Sequence, residues 1–181
     1  MADTRVANRY ARSLITIAQE DNSLEIVHQD AQAFLETCRQ NREVSLALSN
    51  PVVPQNKKLN IAYKIFQNQL SERTVKFIQL VIKHQRGDTL IPVFERIVTQ
   101  YKRINGIVDA AVHAPLTLKP DVQEQLKAIV KQKKGESANT VNLSVIENPD
   151  ILGGFMLQFE DKLLDKSVAT QLKTLRESFK Q

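Results

Sequence analysis

Three histidines and one cysteine are the side chains of this chain best suited to metal binding or covalent catalysis. His28, His84 and His113 are far apart, fall on three different predicted elements, and have no second ligand at zinc-site spacing. Cys38 lies in the helix-like segment FLETCRQ, where we expect a small buried side chain. A catalytic role of the Cys38 thiol would require a histidine that folding brings close to it. A lone cysteine excludes an intrachain disulfide and indicates a reducing compartment.

Carboxylate pairs and glycine motifs are the next candidates for chemistry. Glu160 and Asp161 are adjacent but fall in a predicted turn, where solvated carboxyl groups make poor general acids. Neither G-x-x-x-x-G-K-[ST] nor G-x-G-x-x-G occurs, and no helix-starting lysine follows the glycine pair Gly153-Gly154. We interpret Arg86-Gly87-Asp88 as a helix stop followed by a helix cap. We therefore expect no catalytic residue, no metal and no cofactor.

The charge of the chain leaves nucleic-acid binding open. The net charge is +5, and residues 1–105 hold 15 Lys and Arg against 10 Asp and Glu, whereas residues 106–181 hold 10 of each. Arg5, Arg9 and Arg12 could contact phosphates. Elsewhere basic and acidic residues alternate and no aromatic cluster accompanies them, so a solvated helix face is the preferred interpretation. A basic helical adaptor or nucleic-acid-binding protein is the alternative.

The first 105 residues have the spacing of amphipathic helices with short connections. In DTRVANRYARSLITIAQED apolar residues recur every three or four positions, with arginines on the opposite side. Pro51 and Pro54 interrupt the pattern, and Ser71 can cap the next helix. We interpret this half as a six-helix bundle. The apolar stripe of the first helix contains Ala7, Tyr10, Ala11, Leu14, Ile17 and Ala18.

The segment ERTVKFIQLVIKHQR is apolar around most of its helix circumference. Such a helix is buried on more than one side. Two interpretations stay open: a central helix of the bundle, or a helix with one face reserved for a partner.

At Asn105-Gly106 the hydrophobic period changes from helical to alternating. IVDAAVHA, TVNLSVI and FMLQF read as strands, with one helix from Pro120 to Gly135 and a last helix capped by Ser167. The order strand–helix–strand–strand–helix predicts a small α+β domain. We therefore divide a mainly α chain into domains 1–105 and 106–181. The stripe of the last helix contains Val168, Leu172, Leu175 and Phe179.

The segment VIENPDILGGFMLQFEDKLLDKSVATQLKTL resembles the C-terminal signature of the delta subunit of F-type ATP synthases, the family of the mitochondrial oligomycin-sensitivity-conferring protein. VANRYARSLITIA, Asn50-Pro51, FIQLVIKHQR and FERIVTQY are also similar, so the resemblance covers the whole chain. The chain departs from the family at Glu160-Asp161, where glycine is common, and at Lys166, where a small residue is common.

The resemblance implies a non-catalytic stator subunit of a proton-translocating ATP synthase. In such subunits the helical domain binds N-terminal segments of the alpha subunits of the catalytic head, and the α+β domain binds the b subunits of the peripheral stalk. The absence of a transit peptide leads us to expect a bacterial protein, peripheral on the cytoplasmic face of the inner membrane.

We expect partner binding through apolar helix faces. We hypothesise that a helix of the alpha subunit occupies a groove between the first and fifth helices, and that Ala11→Glu blocks binding without unfolding. Val168, Leu172 and Leu175 serve either the domain core or the stalk contact. The hypothesised groove residues are Ala7, Tyr10, Ala11, Leu14, Phe77, Leu80, Val81 and His84.

Overall fold

A computed structural model describes residues 2–116, 118–134, 139–149, 151–160 and 162–178 of the 181-residue chain. The chain forms two compact units, Met1–Tyr101 and Lys102–Gln181. This division falls a few residues before the change of hydrophobic period. None of the described helices combines the length and the hydropathy needed to cross a bilayer.

Six α-helices form the unit 1–101, with a 3-10 turn at Gly87–Thr89 before the last of them. Ser71 begins α5 as expected, since its hydroxyl accepts the backbone N–H of Thr74. The described structure is mainly helical with a small sheet, which confirms the predicted fold class. The helices are α1 (Ala2–Glu20), α2 (Leu24–Gln40), α3 (Arg42–Ser49), α4 (Gln55–Phe66), α5 (Glu72–Lys83) and α6 (Leu90–Ile104).

Aromatic rings from three helices fill the centre of this unit. The Phe34 ring centroid lies 4.1 Å from that of Phe94 and 4.9 Å from that of Phe66, and all three rings are fully buried. Ala7, Ala11 and Ala18 of α1 face this core with no exposed area. Their small side chains let α1 approach the neighbouring helices closely.

Three local predictions for this unit were wrong. Ile17 was placed in the buried stripe of α1, but it is 48% exposed and Ile15 is buried instead. The positive φ after α5 belongs to Gln85 and not to Gly87. Gly87 instead packs so closely that a Cβ there would lie 2.6 Å from the carbonyl oxygen of Leu48. Asp88 lies within the 3-10 turn rather than immediately before α6.

A four-stranded sheet with two helices forms the second unit. The strand order is β2-β1-β3-β4; β1 and β2 are parallel, and the other two pairs are antiparallel. Parallel neighbours need a crossover, which α7 provides between β1 and β2. The elements are β1 (Ile107–Ala114), α7 (Pro120–Lys134), β2 (Thr140–Glu147), β3 (Met156–Phe159), β4 (Lys162–Asp165) and α8 (Val168–Ser178).

One face of this sheet carries the core of the second unit. Val112 is opposite Val145 on β2 and Leu157 on β3, and Val112 and Leu157 pack with Leu126 and Val130 of α7. On the other face, Asn142 and Gln158 are exposed. An antiparallel or mixed sheet can leave one face to solvent in this way.

The sequence pattern missed β4, which pairs with β3 from Met156↔Asp165 to Phe159↔Lys162. Glu160 makes the tight turn between them in a positive-φ conformation. The predicted helix end at Gly135, the predicted turn residue Asp161 and the predicted apolar position Phe179 lie outside the described residues.

Candidate partner-binding surfaces

The described residues offer no metal centre. No group of three or more His, Cys, Asp and Glu side chains among them could hold an ion. His28 is buried and stacks on Tyr101, with ring centroids 3.8 Å apart, whereas His84 is exposed and His113 lies on the sheet of the other unit. Burial raises the pKa of the Cys38 thiol to about 11, so it is protonated and a poor nucleophile at neutral pH.

The contact between α1 and α5 is aromatic and partly open. The Tyr10 and Phe77 rings meet edge to face, 6.3 Å apart, and Phe77 meets the buried Phe94 in the same way. Both Tyr10 and Phe77 are half-buried. Beside them Leu80 is 47% exposed, one turn further along α5. We call Tyr10, Ile17, Phe77, Leu80 and His84 the α1/α5 surface.

Four of the eight hypothesised groove residues do not line this surface. Ala7, Ala11, Leu14 and Val81 are at most 3% exposed and belong to the core of the unit. Tyr10, Phe77, Leu80 and His84 remain accessible. The hypothesised Ala11→Glu test is therefore unsuitable, because it would place a carboxylate in the core and unfold the unit.

Polar contacts at the first turn of α5 hold this helix in place. Asp30 of α2 is buried and accepts the Ser71 N–H at 3.2 Å and the Thr74 hydroxyl at 2.6 Å; the Ser71 hydroxyl also donates to it. A carboxylate at a helix N-terminus is also favoured by the helix dipole. Sequence reasoning missed Asp30, because its partners are some 40 positions away.

A second contact links the same end of α5 to the end of α1. The Arg73 guanidinium lies 2.6 Å from the Asp21 carboxylate and donates to the Ser23 hydroxyl at 2.7 Å. Arg73 therefore joins α5 to the α1–α2 turn. Together with the Tyr10–Phe77 contact, it sets the relative position of the two helices that form the α1/α5 surface.

In the second unit, the glycine pair lies against the start of α8. Gly154 has φ of +81°, and a Cβ there would lie 2.3 Å from the Lys166 carbonyl oxygen. Main-chain bonds join the same segments: the Lys166 N–H donates to Phe155 O and the Val168 N–H to Gly153 O, both at 2.9 Å. No other residue type fits at Gly154 without moving the backbone.

Side chains complete the start of α8. The Ser167 hydroxyl accepts the Thr170 N–H, which confirms the predicted cap. Asp165 accepts the Ser167 N–H at 2.8 Å and the Thr170 hydroxyl at 2.7 Å. The backbone hydrogen bond from Ser167, followed by the Thr170 hydroxyl, lowers the pKa of Asp165. The helix therefore begins at a defined position.

The described apolar side chains of α8 are exposed. Leu172 is 60% exposed and Val168 is also exposed, and neither belongs to the core cluster of its unit. The side chain of Leu175, the third hypothesised stalk residue, lies outside the described set. Next to α8, Leu152 is 88% exposed in the loop that leads to the glycine pair. We call Leu152, Val168 and Leu172 the α8 surface.

Comparisons with known proteins agree over nearly the whole chain. Residues 6–179 match the family model of the ATP synthase delta (OSCP) subunit. ATP synthase subunit delta of Salinibacter ruber is 28% identical over 181 residues, covering 100% of this chain and 94% of the relative. The Cytophaga hutchinsonii protein of the same name is 30% identical over 179 residues, covering 99% and 96%.

A solved structure shares the fold. A chain in the cryo-EM structure of the Toxoplasma gondii mitochondrial ATP synthase hexamer superposes with a TM-score of 0.70 at 19% identity, covering 97% of each chain. The family model spans both compact units, and the relatives align over almost their full length. This chain belongs to the ATP synthase delta (OSCP) subunit family.

Proposed function

We propose that this chain is a non-catalytic stator subunit that joins the catalytic head of an F-type ATP synthase to its peripheral stalk. The observation that carries the proposal is that the α1/α5 surface of the first unit and the α8 surface of the second each expose apolar side chains. A linker that joins two partners needs two separate binding surfaces, and each unit offers one candidate.

The α1/α5 surface is the proposed site for the N-terminal segment of an alpha subunit. Tyr10, Phe77 and Leu80 offer aromatic and aliphatic area between two helices, which suits the apolar face of an amphipathic helix. The half-buried aromatic pair is already ordered by Phe94 beneath it, so binding needs little rearrangement.

The α8 surface is the proposed site for the b subunits of the stalk. Every described side chain of α8 is exposed, although Val168 and Leu172 are apolar. Apolar helix side chains without a covering element indicate a protein contact. We further propose that the chain works at the cytoplasmic face of a bacterial inner membrane, held there by the complex.

Reciprocal variants test this function. Leu80→Glu in the full chain should abolish calorimetric binding of a peptide from the N-terminus of the cognate alpha subunit. The same variant should bind the C-terminal segment of the stalk's b protein unchanged. Leu172→Glu should do the reverse. Both positions are exposed, so the fold should persist.

Leu46→Glu is the matched control, since Leu46 is 54% exposed on α3, outside both surfaces. It should bind both partners normally. Wild-type affinity of Leu80→Glu for the alpha peptide, or of Leu172→Glu for the b segment, would refute the corresponding assignment. Nucleic-acid binding, the alternative function, rests on the arginines of α1 alone.

A further inference from the structure

Cationic side chains border the α1/α5 surface on both helices. Arg5, Arg9 and Arg12 recur at i, i+4 and i+7 and therefore share one face of α1. Lys76 and Lys83 share a face of α5 with Leu80 between them. All five side chains are exposed.

Among the described side chains, most of these cations have no carboxylate partner. Only Lys76 is paired, with Glu72 at 2.6 Å on an exposed helix face. Among the described side chains, no carboxylate lies within 4.0 Å of Arg5, Arg9, Arg12 or Lys83. Like charges at i and i+4, as in Arg5 and Arg9, destabilise a helix slightly. The chain without its partner therefore holds like charges close together around the apolar residues of the α1/α5 surface, which is unfavourable.

Helix geometry gives the positions of these cations relative to the apolar residues of the α1/α5 surface. Tyr10 and Ile17 are two helical turns apart on one flank of α1, and Arg9 is turned about 100° from Tyr10 toward solvent. On α5, Phe77, Leu80 and His84 form the facing stripe, with Lys83 on its outer side. The apolar residues of the α1/α5 surface thus have cations on both outer edges. The exposed carboxylates described on these two helices are Glu20 and Glu72, and Asp21, just beyond α1, pairs with Arg73.

We infer that the α1/α5 surface selects an amphipathic helix whose apolar stripe is edged by glutamate or aspartate. This inference rests on the proposed function and adds the charge of the partner to it. The partner's apolar stripe would cover Tyr10, Phe77 and Leu80, and its acidic edges would meet Arg9 and Lys83. Arg5 and Arg12 lie further round α1 and contribute mainly through the field, which reaches about 8 Å at physiological ionic strength.

A nucleic acid fits the same surface less well. Phosphates could contact the arginines, but the exposed Leu80 and Ile17 would then lie beside a polyanion and gain nothing from it. A helix with acidic edges pairs with the cations and also covers the apolar residues of the α1/α5 surface. The observations therefore favour a protein helix.

Two synthetic helices of equal length test the inference with the full chain. Both carry the same leucine stripe; one has glutamates along its edges and the other has lysines. The glutamate helix should bind about tenfold more tightly in dilute buffer, as expected for a few exposed ion pairs. The difference should shrink to about twofold in about 0.5 M salt.

Charge reversal identifies the residues. Arg9→Glu combined with Lys83→Glu should abolish or reverse the preference, whereas Arg9→Lys should retain it. Lys64→Glu is the matched control, because Lys64 is an exposed cation on α4, which contributes no residue to this surface. Circular dichroism should confirm that all variants are folded.

The outcomes separate this inference from the proposed function. Equal binding of both synthetic helices, or a preference that survives the double reversal, overturns the acidic-edge inference. If either result is found and the peptide from the cognate alpha subunit still binds, the proposed function stands without the acidic-edge inference. The choice of a protein partner is overturned if a DNA duplex displaces the glutamate helix at a DNA concentration below the dissociation constant of that helix.

Discussion

In the unit 1–101 every helix contributes to one core, whereas in the described part of the unit 102–181 the core consists of α7, one face of the sheet and two loop residues, Leu118 and Phe155. The first unit buries Phe34, Phe66 and Phe94 completely, and its accessible apolar side chains are scattered around the α1/α5 surface and a few other positions. The second leaves Leu152 and the described apolar side chains of α8, Val168 and Leu172, outside its core. We therefore expect the first unit to be stable by itself, while the second gains stability when a partner covers α8.

The largest expected effect is in the core of the first unit. Phe34→Ala should lower the free energy of unfolding by about 3–5 kcal/mol, because it removes a ring that contacts both Phe66 and Phe94. Urea unfolding followed by tyrosine fluorescence measures this unit alone, since Tyr10, Tyr63 and Tyr101 all lie in it and the chain has no tryptophan.

Phe34→Leu is the conservative comparison and should cost clearly less. The thiol of Cys38 gives a second readout, since its pKa of about 11 keeps it unreactive toward iodoacetamide until this unit opens. A loss below about 1 kcal/mol for Phe34→Ala would contradict the view that the aromatic cluster dominates the core.

The next effect lies at the start of α8. Gly154→Ala should destabilise the second unit by about 2–3 kcal/mol, because the residue has a positive φ and its Cβ would collide with the Lys166 carbonyl. Hydrogen exchange of the β3 and β4 amides measures the loss, and the tyrosine signal of the first unit should not change.

Gly153→Ala is the matched control. Gly153 does not have a positive φ, and its added Cβ would meet only the Val168 side chain, at 3.1 Å. It should cost much less than Gly154→Ala. Equal losses for the two variants would show that crowding, and not the backbone conformation of Gly154, limits this position.

The smallest effect is a pH dependence at Asp165. Its pKa is lower in the folded chain, so its hydrogen bonds stabilise the start of α8 above about pH 4, and this contribution is lost as the pH falls through the lowered value. Acid should therefore fray α8 first, as seen in the amide chemical shift of Thr170. Asp165→Asn should remove this pH step; a step that persists would have another origin.

Sequence periodicity predicted the elements better than their exposed faces. The helical spacing identified α1 to α6, and alternation identified β1 to β3, because these patterns are local and long. β4 was missed because four residues, KLLD, show too few alternations. Ile15 and Ile17 are both compatible with an apolar side of α1, and only the packing of the other helices decides which is buried.

The candidate surfaces were predicted only in part, and the reason is the same. An apolar stripe does not tell a core contact from a partner contact, so Ala11 and Val81 were grouped with Tyr10 and Leu80 although they lie in the core. The arrangement of Asp30 with Ser71 and Thr74 depends on distant segments meeting. No periodicity carries that information.

The main-chain attachment of α8 has an evolutionary consequence. Lys166 and Val168 are joined to the segment 153–155 through backbone N–H and carbonyl groups. Every residue supplies both groups except proline, which lacks the N–H. Mutations that change the outer side of α8 therefore leave its anchorage intact. A lineage can remodel what this helix recognises, residue by residue, without first redesigning how the helix is fastened to its sheet.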